Sequence, residues 1–193
     1  MRIVAATGNR GKLAELSALL APGGWEVIAQ SQFNCSEAPE TAVTFVENAL
    51  LKARNACAHT GLAAIADDSG LEVDALHGEP GVRSARYAGA GASNADNIRK
   101  LLAALEAVEA PRRTARFRCV LVYMRHAADP APVISAGVWE GRIAEAPAGD
   151  NGFGYDPVFL VDGLGKTAAQ LEASVKNRLS HRARALRRLS AAL

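Results

Sequence analysis

"IADDSGLEVDAL", running from Ile65 to Leu76, sets two aspartates side by side after an apolar run. Leu62 to Ala66 reads as a buried strand. Asp67, Asp68 and Ser69 then precede Gly70, and Leu71 to Val73 resume an apolar run. Neighbouring side chains on a strand point to opposite faces, so at most one aspartate easily faces a core. An acidic pair at a strand end belongs either to a turn or to a metal site. The rest of the chain has to decide between them.

Interleaved elements surround this stretch. Arg2–Thr7 reads as a first strand and Gly8–Gly11 as a loop. Lys12–Leu20 is a helix with Leu13, Leu16, Leu19 and Leu20 in helical period, ended by Pro22, Gly23 and Gly24. Trp25–Ala29 reads as a second strand and Ser31–Pro39 as irregular. Thr44 to His59 is the clearest helix: Thr44 with Glu47 fits a capping box, and Gly61 is a natural stop. Ser93 with Asp96 caps another helix reaching about Val108, and Pro111 breaks it. Thr114–Met124 and Val133–Ile143 read as two long paired strands, and Val158–Val161 as a short one. Thr167–Val175 and Ser180–Leu193 read as closing helices. This pattern predicts an α/β fold with a mixed sheet. The sequence has no internal repeat, low-complexity tract or linker, so residues 1–193 are expected to form a single domain, with any two lobes sharing one sheet.

The 193 residues, nearly half hydrophobic and 22% charged, suit one good-sized globular domain. No apolar run is long enough to span a bilayer, and the N-terminus lacks the features of a signal peptide. Cys35, Cys57 and Cys119 are odd in number and contain no CxxC. They fit reduced thiols in a cytoplasm better than a disulfide framework or a zinc site. The formal charge is +2, but six of the 22 Lys and Arg residues lie in 173–193, which has no acid. That leaves 16 basic against 20 acidic groups elsewhere, a net of −4. Such a basic terminus suits nucleic acid, an anionic small molecule or a partner surface. For Arg184, Arg187 and Arg188 the plainer reading is a solvated helix face.

Four further stretches carry chemistry. "ATGNRGK", Ala6 to Lys12, is strand, glycine loop and helix; it offers backbone N–H groups, a helix N-terminus and Lys12 to an anion. It is not a P-loop, because only two residues separate Gly8 from Gly11 and Leu13 follows Lys12. "EAPETAVTFVENALLKA" holds Glu37, Glu40, Glu47 and Lys52. Glu47 is either the helix-cap partner or a further functional acid. Glu40, in a loop before a helix, is either a metal-reaching carboxylate or a solvated acid. "GFGYDP", Gly152 to Pro157, places Phe153 between glycines, where its ring can stack on a base; Tyr155 is expected to plug the core. "KNRLSHRA" brings Ser180, His181 and Arg182 to a helix start, where cations gain nothing from the helix dipole.

Taken in order, "ATGNRGKLAEL", "TFVENALLKA", "IADDSGLEVDAL", "GVRSARYAG", "PAGDNGFGYDPVF" and "SHRARAL" resemble the inosine triphosphate pyrophosphatase (Ham1/RdgB-like) family across nearly the whole chain. The resemblance implies an elongated α/β structure of two lobes with a central nucleotide-binding cleft. It implies hydrolysis of ITP, dITP and XTP to monophosphate and pyrophosphate, with Mg²⁺, by a cytoplasmic homodimer that needs neither nucleic acid nor a membrane. Thr7, Gly8, Asn9, Arg10, Gly11 and Lys12 would hold the triphosphate. Asp68 would be the general base or the carboxylate that positions the metal, with Glu40 beside it. Ser69 would touch substrate. Phe153, Gly154, Tyr155 and Asp156 would embrace base and ribose, and Lys176, His181 and Arg182 would complete the base pocket. Asp67 would point elsewhere, as a turn cap. Donors from His181 or Arg182 would suit a 6-oxo purine and be left unpaired against adenine. The alternatives are a pyrophosphatase for other modified nucleotides, or a nucleotide-binding protein without catalysis.

Overall fold

The computed structural model describes residues 1–192. Seven strands form one mixed sheet: β1 (Arg2–Ala5), β2 (Glu26–Ala29), β3 (Ala64–Val73), β4 (Thr114–Met124), β5 (Val133–Ile143), β6 (Phe159–Val161) and β7 (Lys166–Thr167). Their order is β2-β1-β3-β4-β5-β6-β7. β1 runs parallel to β2 and to β3, while β5–β6 and β6–β7 are antiparallel. The helices are α1 (Arg10–Leu20), α2 (Phe45–Thr60), α3 (Asn94–Ala104), α4 (Ala173–Leu179) and α5 (His181–Ser190). The α/β class expected from the interleaved pattern is the one observed.

The chain folds as two compact units, whose boundaries fall inside β3, β4 and β5 or at the α4–α5 junction. In the unit comprising 1–68, 119–137 and 181–193, strand parity sorts the core into two clusters. Ile3, Ala5, Ile65, Cys119 and Leu121 pack with Leu16 and Leu20 of α1 and Ala185, Leu186 and Leu189 of α5. Val4, Ala6, Ala64, Ala66, Val122 and Met124 pack with Ala49, Ala53, Ala56 and Cys57 of α2. Alternate residues of β1 and β3 thus serve opposite faces of the sheet. Each fully buried Leu or Ile contributes roughly 1.5–3 kcal/mol. α5 lies close on β5 because Gly137 has no side chain: a Cβ there would overlap the His181 carbonyl and the Ala185 amide. Ser135 donates to the Ala185 carbonyl at 2.9 Å on the same strand. The unit comprising 69–118 and 138–180 has its own core, in which Phe117, Trp139 and Phe159 form an aromatic cluster with Leu71, Leu101 and Tyr155.

Most sequence-derived boundaries hold. Thr44 caps α2, accepting from the Glu47 amide, and Gly61 closes it at φ 68°. The capping box there is only half made, because the Glu47 carboxylate takes the Thr44 hydroxyl at 2.5 Å. At α3 the full box of Ser93 and Asp96 is present. Three expectations are corrected. α3 stops at Ala104 rather than near Val108. β3 does not end before the aspartates but continues through Asp67, Asp68, Ser69 and Gly70 to Val73. Thr167–Val175 is not one helix: a 3-10 turn over Ala168–Gln170 stops at the extended Leu171 (ψ 144°), and α4 starts afresh at Ala173.

Candidate active site

The parity that sorts the core also sorts the two acids. Continuing from Ile65 and Ala66, Asp67 falls on the α1/α5 face and Asp68 on the α2 face. Each meets cations there. Asp67 is 1% exposed; its Oδ1 lies 2.7 Å from Lys12 Nζ and its Oδ2 2.7 Å from Arg182 Nε. The Cys119 thiol also donates to Oδ2, at 3.2 Å. Arg182, 2% exposed, reaches Glu15 with Nη1. Burial works against charge on Asp67, but Arg182 and Lys12 outweigh it and hold the carboxyl well below the usual range. The turn-capping role expected for Asp67 is therefore replaced by that of a buried anion joining α1 and α5. Arg182 likewise has a duty other than the base-facing donor expected.

On the other face, Lys52 Nζ donates to Asp68 Oδ1 at 2.6 Å, to Glu40 Oε1 at 2.9 Å and to the Asp67 carbonyl at 2.8 Å. Three acceptors use the full donor capacity of an ammonium. Burial lowers the Lys52 pKa, yet Asp68 and Glu40 outweigh that and raise it. For Asp68 burial is the larger influence and lifts the carboxyl, with Lys52 opposing. A carboxylate whose pKa is raised by burial beside an exchangeable charge partner is suited to proton transfer or metal ligation.

The glycine loop stands at the start of α1. Thr7 Oγ1 accepts from the Asn9 amide at 3.1 Å, and Asn9 Oδ1 caps the helix by accepting from the Lys12 amide at 3.1 Å. Gly8, Asn9 and Arg10 are exposed, Gly11 half-buried. Lys12 leans from this loop onto Asp67. His181 is buried at the start of α5, its carbonyl facing Gly137.

The second unit holds the remaining residues. Asp156, 3% exposed, accepts from the Phe153 amide at 2.8 Å and from Lys176 Nζ at 2.5 Å. Lys176 Nζ stands 4.9 Å from the centre of the half-buried Phe153 ring. Gly152, at φ 77°, is needed because a side chain there would strike the Asp156 carboxylate. Gly154 is also in the left-handed region, at φ 61°. Tyr155, as expected of a core plug, is buried, and its hydroxyl donates to the Ser84 carbonyl at 2.9 Å. Ser69 is half-buried on β3.

The structure brings together within the first unit the loop, Lys12, Glu40 and Asp68. It adds Lys52, Asp67 and Glu15, which sequence reasoning gave no site role. A signal for two of the charged groups existed. Lys52 sits among Asn48, Ala49, Ala53 and Ala56, the buried stripe of α2. Arg182 lies in register with Ala185, Leu186 and Leu189 of α5. A charge in an apolar stripe is costly unless paired, and its partner is a candidate site residue.

A glycine loop at a helix start beside paired acids on an α/β sheet fits a class of protein that handles anionic, phosphate-bearing ligands. The Ham1 family profile matches residues 3–192, and the chain belongs to that family. It is 62% identical over 187 residues to the dITP/XTP pyrophosphatase of Thioalkalivibrio sulfidiphilus, covering 97% of this chain and 95% of that one. It is 58% identical over 192 residues to the dITP/XTP pyrophosphatase of Vibrio vulnificus, covering 100% and 96%. A HAM1 protein structure from Coxiella burnetii superposes with a TM-score of 0.90 at 50% identity, covering 100% of this chain and 98% of that one. The Staphylococcus aureus Ham1 protein matches with 0.85 at 41% identity, covering 99% and 97%.

Proposed function

We propose that this protein hydrolyses deaminated purine nucleoside triphosphates (ITP, dITP and XTP) to monophosphate and pyrophosphate. The observation that carries this is the division of labour across β3: Asp68 faces Lys52 and Glu40, while Asp67 faces Lys12 at the glycine loop. Supporting it, relatives at 62% and 58% identity carry the name dITP/XTP pyrophosphatase.

In this reading Thr7 to Lys12 cradle the triphosphate, with loop amides and the Lys12 ammonium stabilising the charge that builds on the departing pyrophosphate. Asp68 orients a water for attack on the α-phosphorus and takes its proton. Glu40 and Asp68 fit Mg²⁺, since both are carboxylates on one ammonium, and a magnesium ion keeps several waters and substrate oxygens beside one or two protein carboxylates. Magnesium held there would neutralise phosphate oxygens and acidify a bound water. Lys52 holds the two carboxylates together and would yield its place to the ion. Phe153 to Asp156, with Lys176, take the base and ribose, and Ser69 touches substrate. His181 remains the nearer candidate for the 6-oxo group, because Arg182 is engaged by Asp67 and Glu15. The same reading makes the protein a cytoplasmic homodimer acting on free nucleotides. Lys176 and Arg182 are buried, which takes two cations from the basic terminus and leaves it less suited to nucleic acid.

Ion-exchange chromatography of an ITP reaction tests the assignment. IMP and pyrophosphate in equal amounts are expected. IDP with free phosphate would overturn the reaction, and bound but unconverted ITP would favour the binding-protein alternative.

A further inference from the structure

Residues 34–44 lie between a 3-10 turn and α2, outside regular structure, yet they are tied down at two points. Asn55 Nδ2 donates to the Ser36 carbonyl at 2.7 Å. Fully buried Asn48 brackets Ala42, accepting from its amide at 3.0 Å and donating to its carbonyl at 3.3 Å. Two acids, three residues apart, project from this pinned stretch to different places. Glu40 reaches Lys52. Glu37 lays its carboxylate against Gly8 of the glycine loop: a Cβ on Gly8 would overlap Glu37 Oε1 and stand 2.9 Å from its Cδ. Gly8 is not among the glycines with positive φ, so its lack of a side chain matters as space, and Glu37 fills that space.

We propose that Glu37 is a charge gate on the phosphate loop, set against metal-free polyphosphate and permissive to the metal complex. The proposal rests on reading Thr7–Lys12 as the polyphosphate site. A carboxylate lying against the loop repels an incoming free polyphosphate. The same repulsion largely disappears when a divalent cation has neutralised part of the ligand's charge. Glu37 is exposed, so water screens it and the effect is that of one charge pair at contact distance in water, about five-fold in affinity. The gate would keep the site from filling with uncomplexed nucleotide or pyrophosphate.

Calorimetric titration of pyrophosphate into the wild type and Glu37→Gln, in EDTA and in excess MgCl₂, tests this. The variant should bind pyrophosphate about five-fold more tightly than the wild type in EDTA, and within two-fold of it in MgCl₂. Equal affinities in EDTA overturn the gate while leaving the phosphate loop intact. An equal gain under both conditions also overturns it, because the discrimination between free and complexed ligand would be absent. Failure of both proteins to bind pyrophosphate in MgCl₂ overturns the phosphate-loop reading, and the gate with it.

Discussion

Arg182 Nε donates to Asp67 Oδ2 across 2.7 Å, with both side chains all but removed from solvent. The pair ties α5 to β3, and through Lys12 it ties both to the loop at the start of α1. One strand thereby carries an acid that joins α1 and α5 and, next to it, the acid proposed for catalysis. Asp67→Asn would leave a buried guanidinium with only part of its compensation. The expected cost is about 3–5 kcal/mol in urea unfolding, the usual penalty for breaking a buried pair. Asp68→Asn should leave the unfolding midpoint nearly unchanged and lower ITP turnover by at least ~100-fold. If Asp67→Asn is as stable as wild type, the buried pair does not hold the fold.

Asp67 also predicts an acid dependence of stability. Its folded pKa lies well below that of the unfolded carboxyl, near 3.9, so its stabilisation is fully present above about pH 4. It is lost as pH falls from there through the folded pKa. Plotted against pH, the unfolding free energy of Asp67→Asn should fall less steeply below pH 4 than that of the wild type. Parallel curves would mean that Asp67 does not carry this linkage.

The neighbouring acid behaves in the opposite sense. Burial raises Asp68, and Lys52 is the main influence holding it down. Lys52→Met should therefore lift the Asp68 pKa further and move the acid limb of kcat/KM to higher pH. A limb that stays in place or moves down would dissociate Asp68 from the limb.

Gly137 should tolerate nothing larger. A methyl there meets the His181 carbonyl and the Ala185 amide, which are backbone and cannot swing aside. Gly137→Ala should cost about 1–3 kcal/mol by overpacking, and should lower ITP turnover as α5 carries Arg182 away from Asp67. Urea unfolding and steady-state rates on one preparation check both. A variant unchanged in both would show that the close packing of α5 on β5 is dispensable.

Much of the fold was legible in local signals. β4 and β5 were bounded correctly because alternation and flanking proline or polar residues mark them. α2 was found by Thr44 and Gly61. The acidic pair misled for a physical reason. Charges inside a strand look like a strand end unless their partners are known, and Lys12, Lys52 and Arg182 lie 55, 16 and 115 residues away from the acids they meet. Glu40 and Asp68 stand out as acids in the sequence, whereas Lys52, in the same stretch as Glu40, shows no role there although it joins them. The break at Leu171 carries no glycine or proline, so a helical pattern ran through it unseen.

In the proposed reaction, water oriented by Asp68 attacks the α-phosphorus. Hydrolysing ITP in water enriched in heavy oxygen and weighing the products by mass spectrometry tests it directly. One labelled oxygen is expected in IMP and none in pyrophosphate. Label in pyrophosphate, with unlabelled IMP, would place the attack on the β-phosphorus and contradict it.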